Sequence, residues 1–120
     1  MVIACVDDLL FSSKIRAVAS HTGAKLIFAR GVDATLTALR GDGVDLVIVD
    51  LDARSVDALD IIRSIRAESI AQPRIVGFGA HVNVERLQAA VDAGCNQALA
   101  RSAFVTMLPG MLEAVAPEVR

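Results

Sequence analysis

Acidic side chains follow two short apolar runs of the sequence, and an arginine follows another. Asp7 and Asp8 come after the first run, Asp50 ends the third with Asp52 two positions later, and Arg101 follows the fifth. Carboxylates that meet at short range repel one another, so they need a cation or take up protons. Mg²⁺ is held by one or two carboxylates with waters and phosphate oxygens. An aspartate beside Mg²⁺ can attack phosphorus while an arginine holds the phosphoryl oxygens, so the pattern predicts an aspartyl phosphate.

The elements that must position these side chains alternate between short continuous apolar runs and longer periodic stretches. The runs predict strands over residues 1–6, 25–30, 44–50, 74–78 and 97–100, the second of them near a sheet edge. Right-handed crossovers between such strands give a doubly wound parallel sheet with helices on both faces. The carboxyl ends of the strands then meet at one edge, where ligands bind in sheets of this kind.

Five helices are predicted between and after these strands. The first opens at Ser12, the second follows the period of Val32, Leu36 and Leu39, and the third covers residues 55–67. The fourth covers residues 84–93, capped by an asparagine and ended by a glycine. The last is expected to begin at Thr106, because Pro109 is then its third residue, where a missing N–H costs little.

Length and composition narrow the class of protein. A chain of 120 residues predicts one domain over residues 1–120, and with only 3 % aromatic residues the core should be aliphatic. A net charge of −2 with scattered basic residues argues against nucleic-acid binding. Cys5 and Cys95 do not form a metal-binding or redox motif. With neither a signal peptide nor a membrane-spanning run in the sequence, a cytoplasmic location is expected.

Several segments resemble the receiver domain of bacterial two-component response regulators, the CheY-like family. They are the acidic pair after the first strand, DLVIVDLD at 45–52, VDALDIIRSIR at 56–66 and DAGCNQAL at 92–99. The resemblance covers nearly the whole chain. It implies a flavodoxin-like, five-stranded parallel sheet with the strand order 2-1-3-4-5.

The resemblance also implies roles for the charged residues. Asp50 would be the phosphoacceptor and a metal ligand. Asp8 would be the principal further ligand of Mg²⁺, with Asp7 acting through water and Asp52 through its backbone carbonyl. Arg101, at the position of a family lysine, would contact the phosphoryl group. A different register on the third strand would make Asp52 the acceptor instead.

Other positions depart from the family pattern. Gly79, or Phe78 if the alignment shifts by one, stands where the family has a serine or threonine that follows the phosphoryl group. Ala98 stands where the family has an aromatic switch residue, and Ser102 replaces a proline. The altered switch positions, Gly79 and Ala98, indicate an atypical receiver or a pseudo-receiver.

The leading hypothesis is a stand-alone atypical receiver in phosphorelay signal transduction, acting through protein–protein contacts. It would not be an enzyme, beyond Mg²⁺-dependent self-phosphorylation and dephosphorylation on Asp50. The alternative is a pseudo-receiver that is never phosphorylated and serves only as an interaction module. A small phosphatase or flavodoxin-like enzyme is disfavoured, because no glycine-rich phosphate loop follows the first strand and no aromatics are placed to bind a flavin.

The same resemblance implies the partners. A sensor histidine kinase or another signalling protein is expected, with no direct contact to nucleic acid or membrane. A homodimer through the face formed by the fourth helix, fifth strand and fifth helix is a further hypothesis. Apolar candidates on the last helix are Val105, Met107, Leu108, Met111 and Leu112, although about half should face the sheet at ordinary helical spacing.

Overall fold

The structure is a computed structural model that describes residues 1–41, 43–53 and 57–117. Strands and helices alternate along these residues: β1 (Val2–Cys5), α1 (Leu9–Thr22), β2 (Leu26–Phe28), α2 (Gly31–Leu39), β3 (Leu46–Asp50), α3 (Ala58–Arg66), β4 (Arg74–Gly79), α4 (Val84–Ala93), β5 (Gln97–Ala100) and α5 (Arg101–Val115). Among the helices described, none combines the length and apolar character needed to cross a membrane.

The five strands form one parallel sheet in the order β2-β1-β3-β4-β5, which confirms the predicted fold class. The register aligns the carboxyl ends of neighbouring strands: Asp50 pairs with Phe78, and Gly79 pairs with Ala100. Residues that follow β1, β3, β4 and β5 therefore emerge at the same edge of the sheet, as the sequence predicted.

Each face of the sheet is covered by helices through its own hydrophobic cluster. The cluster under α2, α3 and α4 is aliphatic apart from two cysteine thiols, as predicted. The cluster under α1 and α5 contains an aromatic stack, so the expectation of a wholly aliphatic core is wrong on this face. Phe78 lies in the middle of the stack, with ring centroids 5.0 Å from Phe11 and 4.3 Å from Phe104. Few aromatics are present, but the fold brings three together.

Two helix boundaries differ from the prediction because aspartates cap the helices. The helix α1 begins at Leu9 rather than Ser12, since Oδ1 of Asp8 accepts the N–H groups of Leu10 and Phe11 at 2.8 and 3.2 Å. The helix α3 begins at residue 58, capped in the same way by the aspartate before it. Its predicted opening residues, 55 and 56, lie outside the described residues.

Most other boundaries agree closely with the prediction. β2 is shorter than predicted but lies at the sheet edge as expected, and β3 begins at Leu46 rather than residue 44. β4 extends one residue further, to Gly79. Asn83 caps α4 by accepting the N–H of Arg86, and Gly94 ends that helix with a positive φ of 130°.

The predicted start of the last helix is wrong. The helix α5 begins at Arg101, and Thr106 lies inside it, where its hydroxyl donates to the carbonyl of Ser102 at 3.1 Å. Pro109 therefore occupies the helix interior and removes one backbone hydrogen bond. Phe104, before the predicted start, is fully buried and extends the core contact of the helix by a turn. Burial of this apolar face outweighs the proline penalty.

Replacing the exposed Pro109 with alanine should stabilise the protein. Alanine restores an N–H within α5 and removes the ring's clash with the preceding turn, so we expect the free energy of unfolding to rise by about 1–3 kcal/mol. Urea unfolding monitored by circular dichroism measures the change. Gly110→Ala, at the next exposed position, should give a smaller gain of about 1 kcal/mol. A lower stability of Pro109→Ala would show that α5 depends on the proline.

Candidate functional site

The carboxyl group of Asp50 lies at the end of the central strand β3, where the residue is only 4 % exposed. Its Oδ1 accepts the backbone N–H of Asp52 at 2.9 Å. Its Oδ2 has no hydrogen bond to the described residues, and no fully buried side-chain oxygen among them lacks a partner. The Oδ2 atom is therefore not fully buried, and it is the oxygen that a reaction at Asp50 would use.

Opposing effects act on the ionisation of Asp50. Burial raises the pKa of its carboxyl group above the ordinary value, and the nearby carboxylates of Asp52 and Asp8 raise it further. The N–H of Asp52 and the positive charge of Arg101 act in the opposite direction without reversing the shift. The Asp50 carboxylate is thus held in an environment that favours a bound proton or a neighbouring cation.

The two aspartates after β1 lie at the same edge of the sheet but have different partners. Asp8 is exposed and uses Oδ1 for the cap of α1, which fixes its carboxylate at the positive end of that helix. Asp7 is partly buried and forms an ion pair with Arg30, with 3.2 Å between Oδ1 and Nε. Asp8 is near enough to Asp50 to raise its pKa, as noted above.

The side chain of Asp52 is held by three donors from distant parts of the chain. Its Oδ2 accepts the backbone N–H of Ala80 at 2.8 Å and lies 3.2 Å from Nη2 of Arg101. Its Oδ1 lies 3.2 Å from Nη1 of Arg86, and the same nitrogen donates to the carbonyl of Leu51. The sequence predicted a backbone role for Asp52, or the acceptor role in a different register, but did not predict its ion pairs or identify Arg86. Their side-chain contact spans 34 positions, and no local pattern signals it.

Gly79 lies against the Asp52 carboxylate at the end of β4. A Cβ atom added at Gly79 would lie 3.3 Å from Oδ2 and 3.4 Å from Oδ1 of Asp52, closer than most such contacts in proteins. The absence of a side chain at this position therefore leaves room for the carboxylate. Ala98, the other altered position, is partly buried and packs against the aliphatic cluster.

Arg101 is positioned by two contacts at the start of α5. Its guanidinium pairs with Asp52 at 3.2 Å, and its Cζ lies 5.7 Å from the ring centroid of Phe11, within range of a cation–π interaction. Its charge also lowers the pKa of the Asp50 carboxyl group. The predicted phosphate-contacting residue is therefore close to the predicted acceptor, although its partner here is a carboxylate.

The four acidic residues do not all converge on one point. Within the described ranges, no three His, Cys, Asp or Glu side chains form a group that could hold a metal ion. Asp8 and Asp50 each use Oδ1 for backbone amides, which leaves Oδ2 of each for a further ligand. Two such carboxylate oxygens, completed by a backbone carbonyl and water, are a donor set that Mg²⁺ accepts. The donor chemistry of Asp8, Asp50 and the Asp52 backbone suits Mg²⁺, and binding of the ion by these residues stays a prediction.

Sequence comparisons identify no relatives, whereas structural comparison identifies many. No protein-family model matches the sequence, and no curated protein matches it. The receiver domain of NtrX from Brucella abortus superposes with a TM-score of 0.78 at 16 % identity, over 97 % of this chain and 100 % of that one. A response regulator from Thermotoga maritima gives a TM-score of 0.75 at 21 % identity, over 95 % and 94 % of the two chains.

The chemotaxis response regulator CheY4 of Vibrio cholerae is similar to the same extent. It gives a TM-score of 0.77 at 16 % identity, over 95 % of this chain and 96 % of that one. The chain therefore has the CheY-like fold of response-regulator receiver domains, as the sequence motifs predicted. At these identities the likeness describes the fold and does not assign the chemistry of the site.

Substituting Asp50 with asparagine should stabilise the protein at neutral pH. The raised pKa means that ionised Asp50 opposes folding at pH values above its native pKa. The asparagine side chain would keep the Oδ1 acceptor without the charge. In a chelating buffer, urea unfolding should therefore show Asp50→Asn to be more stable than the wild type at pH 7. The difference should shrink as the pH falls through the raised pKa and vanish below the unfolded value of 3.8.

The exposed Asp45, at the other end of β3, provides the matched control. Asp45 pairs with the N-terminal ammonium at 2.8 Å, so Asp45→Asn should not be stabilising at pH 7. Millimolar Mg²⁺ should stabilise the wild type more than Asp50→Asn, because only the wild type retains both carboxylate ligands. Equal stability of wild type and Asp50→Asn at pH 7 would contradict the electrostatic account of Asp50.

Proposed function

We propose that the chain is an atypical response-regulator receiver that accepts a phosphoryl group on Asp50 and signals through contacts with other proteins. The observation that carries this proposal is the position of Asp50. Its carboxyl group is buried at the carboxyl edge of a CheY-like sheet, has one oxygen without a hydrogen bond to the described residues, and lies near both Asp8 and Arg101. In this proposal Asp50 is the nucleophile, Asp8 is a second metal ligand and Arg101 supplies a positive charge.

In the proposed reaction, Oδ2 of Asp50 attacks the phosphorus of a phosphorylated partner or a small phosphodonor. The Oδ2–P bond forms as the bond from phosphorus to the leaving group breaks, and the leaving group keeps the electron pair. Hydrolysis of the resulting acyl phosphate, by attack of water on phosphorus, restores Asp50 and releases inorganic phosphate. Burial keeps Oδ1 in its bond to the Asp52 amide and so holds the orientation of the carboxyl group.

Mg²⁺ is the proposed cofactor, with Asp8, Asp50 and the backbone carbonyl of Asp52 as ligands and Asp7 acting through water. Bound there, the ion would offset the negative charge of the carboxylates and of the incoming phosphoryl group. Asp8 is suited to this role because its capping bonds fix the carboxylate without using Oδ2. Arg101 is proposed to contact the phosphoryl oxygens, as its guanidinium already does with a carboxylate.

The proposed partners are a sensor histidine kinase or another signalling protein, within the cytoplasm. The output face is proposed to be α4, β5 and α5, which could also support a homodimer. Among the candidate apolar residues of α5, three are buried in the core, Val105 is partly buried and Met107 is 38 % exposed. The apolar part of the proposed face therefore consists of Met107 on α5 and the exposed Val84 and Val91 on α4, rather than of all five candidates on α5.

A pseudo-receiver that is never phosphorylated is the alternative, and three observations favour it. Arg101 is paired with Asp52, and Gly79 provides no hydroxyl to contact a phosphoryl group. Ala98 is also too small to act as an aromatic switch. Under this alternative the chain would keep the acidic edge of the sheet but use its surface only for constitutive binding.

Incubation of the chain with acetyl phosphate and millimolar Mg²⁺ distinguishes a receiver that is phosphorylated from a pseudo-receiver. Under the leading proposal, intact-mass spectrometry should detect a gain of one phosphoryl group, and backbone amide signals near Asp50 should shift with beryllofluoride. Asp50→Asn should abolish both effects because it removes the nucleophilic carboxylate. Asp45→Asn, the same substitution at the opposite end of β3, should retain both.

Magnesium dependence completes this test. Chelation of Mg²⁺ should suppress phosphorylation, and Asp8→Asn should weaken it by at least about tenfold because a metal ligand is lost. A chain that stays inert with acetyl phosphate and beryllofluoride at millimolar Mg²⁺ would reject the leading proposal in favour of the pseudo-receiver. Labelling that persists in Asp50→Asn would instead identify Asp52 as the acceptor.

A further inference from the structure

Three hydrogen-bond donors meet at the Asp52 carboxylate, and together they are called the oxyanion site below. A backbone N–H comes from Ala80 after β4, one guanidinium from Arg86 on α4, and another from Arg101 on α5. These groups are separated from Asp52 by 28 to 49 positions, so the fold itself brings them together. Backbone amides and arginines are the groups that bind carboxylate and phosphate oxygens alike.

We propose that the Asp52 carboxylate is an internal occupant of this oxyanion site and competes with an external phosphate or phosphoryl group for it. The proposal rests on the function proposed above insofar as it concerns phosphorylation of Asp50. Asp52 would act as an autoinhibitory side chain: its carboxylate must leave Ala80, Arg86 and Arg101 before these donors can contact a phosphoryl group on the neighbouring acceptor.

The packing at Gly79 supports this inference independently of the ion pairs. The Asp52 carboxylate lies directly beside Gly79, with its atoms 3.3–3.5 Å from the position of an added Cβ. The carboxylate is thus accommodated by the strand beside it as well as by its charges. A larger residue at Gly79 would have to displace the carboxylate by a few tenths of an ångström.

The donors are also accessible to an external ligand. The side chains of Arg86 and Arg101 are 49 % and 44 % exposed, whereas that of Asp52 is 18 % exposed. An anion arriving from solvent can therefore reach both guanidinium groups, and the Asp52 carboxylate contacts both of them as well as the Ala80 amide. Both arginines lie at surface-accessible helix positions, so displacement of the carboxylate does not require the core to open.

Titration of the 120-residue chain with inorganic phosphate, without metal, tests the proposal. Asp52→Ala removes the competing carboxylate but keeps the backbone carbonyl. It should bind phosphate about tenfold more tightly than the wild type, because phosphate then accepts the hydrogen bonds that the Asp52 carboxylate accepted from Ala80, Arg86 and Arg101. The amide signal of Ala80 should shift on binding. Adding Arg101→Ala to this variant should reverse the gain. Asp52→Asn, which keeps the side-chain shape, should bind phosphate with intermediate affinity.

Glu68→Ala is the matched control. Glu68 is a carboxylate that pairs with an arginine elsewhere, at 2.6 Å from Nε of Arg40, so its loss changes the net charge by the same amount and also releases an arginine. It should leave phosphate affinity unchanged. Phosphate affinity of Asp52→Ala equal to that of the wild type would overturn the proposal. An equal gain in Glu68→Ala would also overturn it, because net charge alone would then explain the result.

The two proposals can fail separately. Phosphate binding needs no reaction at Asp50, so tighter binding to Asp52→Ala supports the internal-occupant proposal even if acetyl phosphate never modifies the chain. The converse result is that the wild type is phosphorylated while Asp52→Ala shows the same phosphate affinity and the same phosphorylation rate. That result would overturn the internal-occupant proposal and leave the proposed function intact. If both proposals hold, Asp52→Ala should be phosphorylated by acetyl phosphate faster than the wild type.

Discussion

The burial of one carboxyl group, at the end of a strand that helices cover on both faces, is the constraint on which this edge of the sheet depends. Asp50 belongs to the same strand as four fully apolar core residues and has almost the same burial. Removing its charge from water raises its pKa, and the Asp52 amide and Arg101 offset only part of that effect. Asp8 does not relieve this effect, because its carboxylate raises the pKa of Asp50 further.

The aromatic stack links this charged edge to the hydrophobic core. Phe11 follows the α1 cap formed by Asp8, Phe78 pairs with Asp50 across the sheet, and Phe104 lies one turn after Arg101. The three rings pack in series, and Arg101 also lies over the Phe11 ring. The candidate site residues Asp8, Asp50 and Arg101 therefore lie beside closely packed aromatic rings. Their relative positions depend on core packing as well as on charge.

The departures from the family pattern are physically related at the end of β4. Gly79 lets the Asp52 carboxylate lie close to β4, and the same carboxylate pairs with Arg101. An arginine suits this arrangement because its planar fork can contact a carboxylate while its face rests near an aromatic ring. Gly79, Asp52 and Arg101 thus form one local structure at the end of β4, whereas Ala98 packs against the aliphatic cluster.

The sequence alone determined the alternation of strands and helices, the class of sheet and the placement of Asp50 at its carboxyl edge. These features follow from hydrophobic periodicity and from the geometry of parallel strands, which act locally or through connectivity. Only the tertiary structure decided that α5 continues through Pro109, because the burial of Phe104 outweighs a local penalty. It also decided that Asp52 meets Arg86, since side-chain contacts between residues 34 positions apart depend on how helices pack and which rotamers they allow.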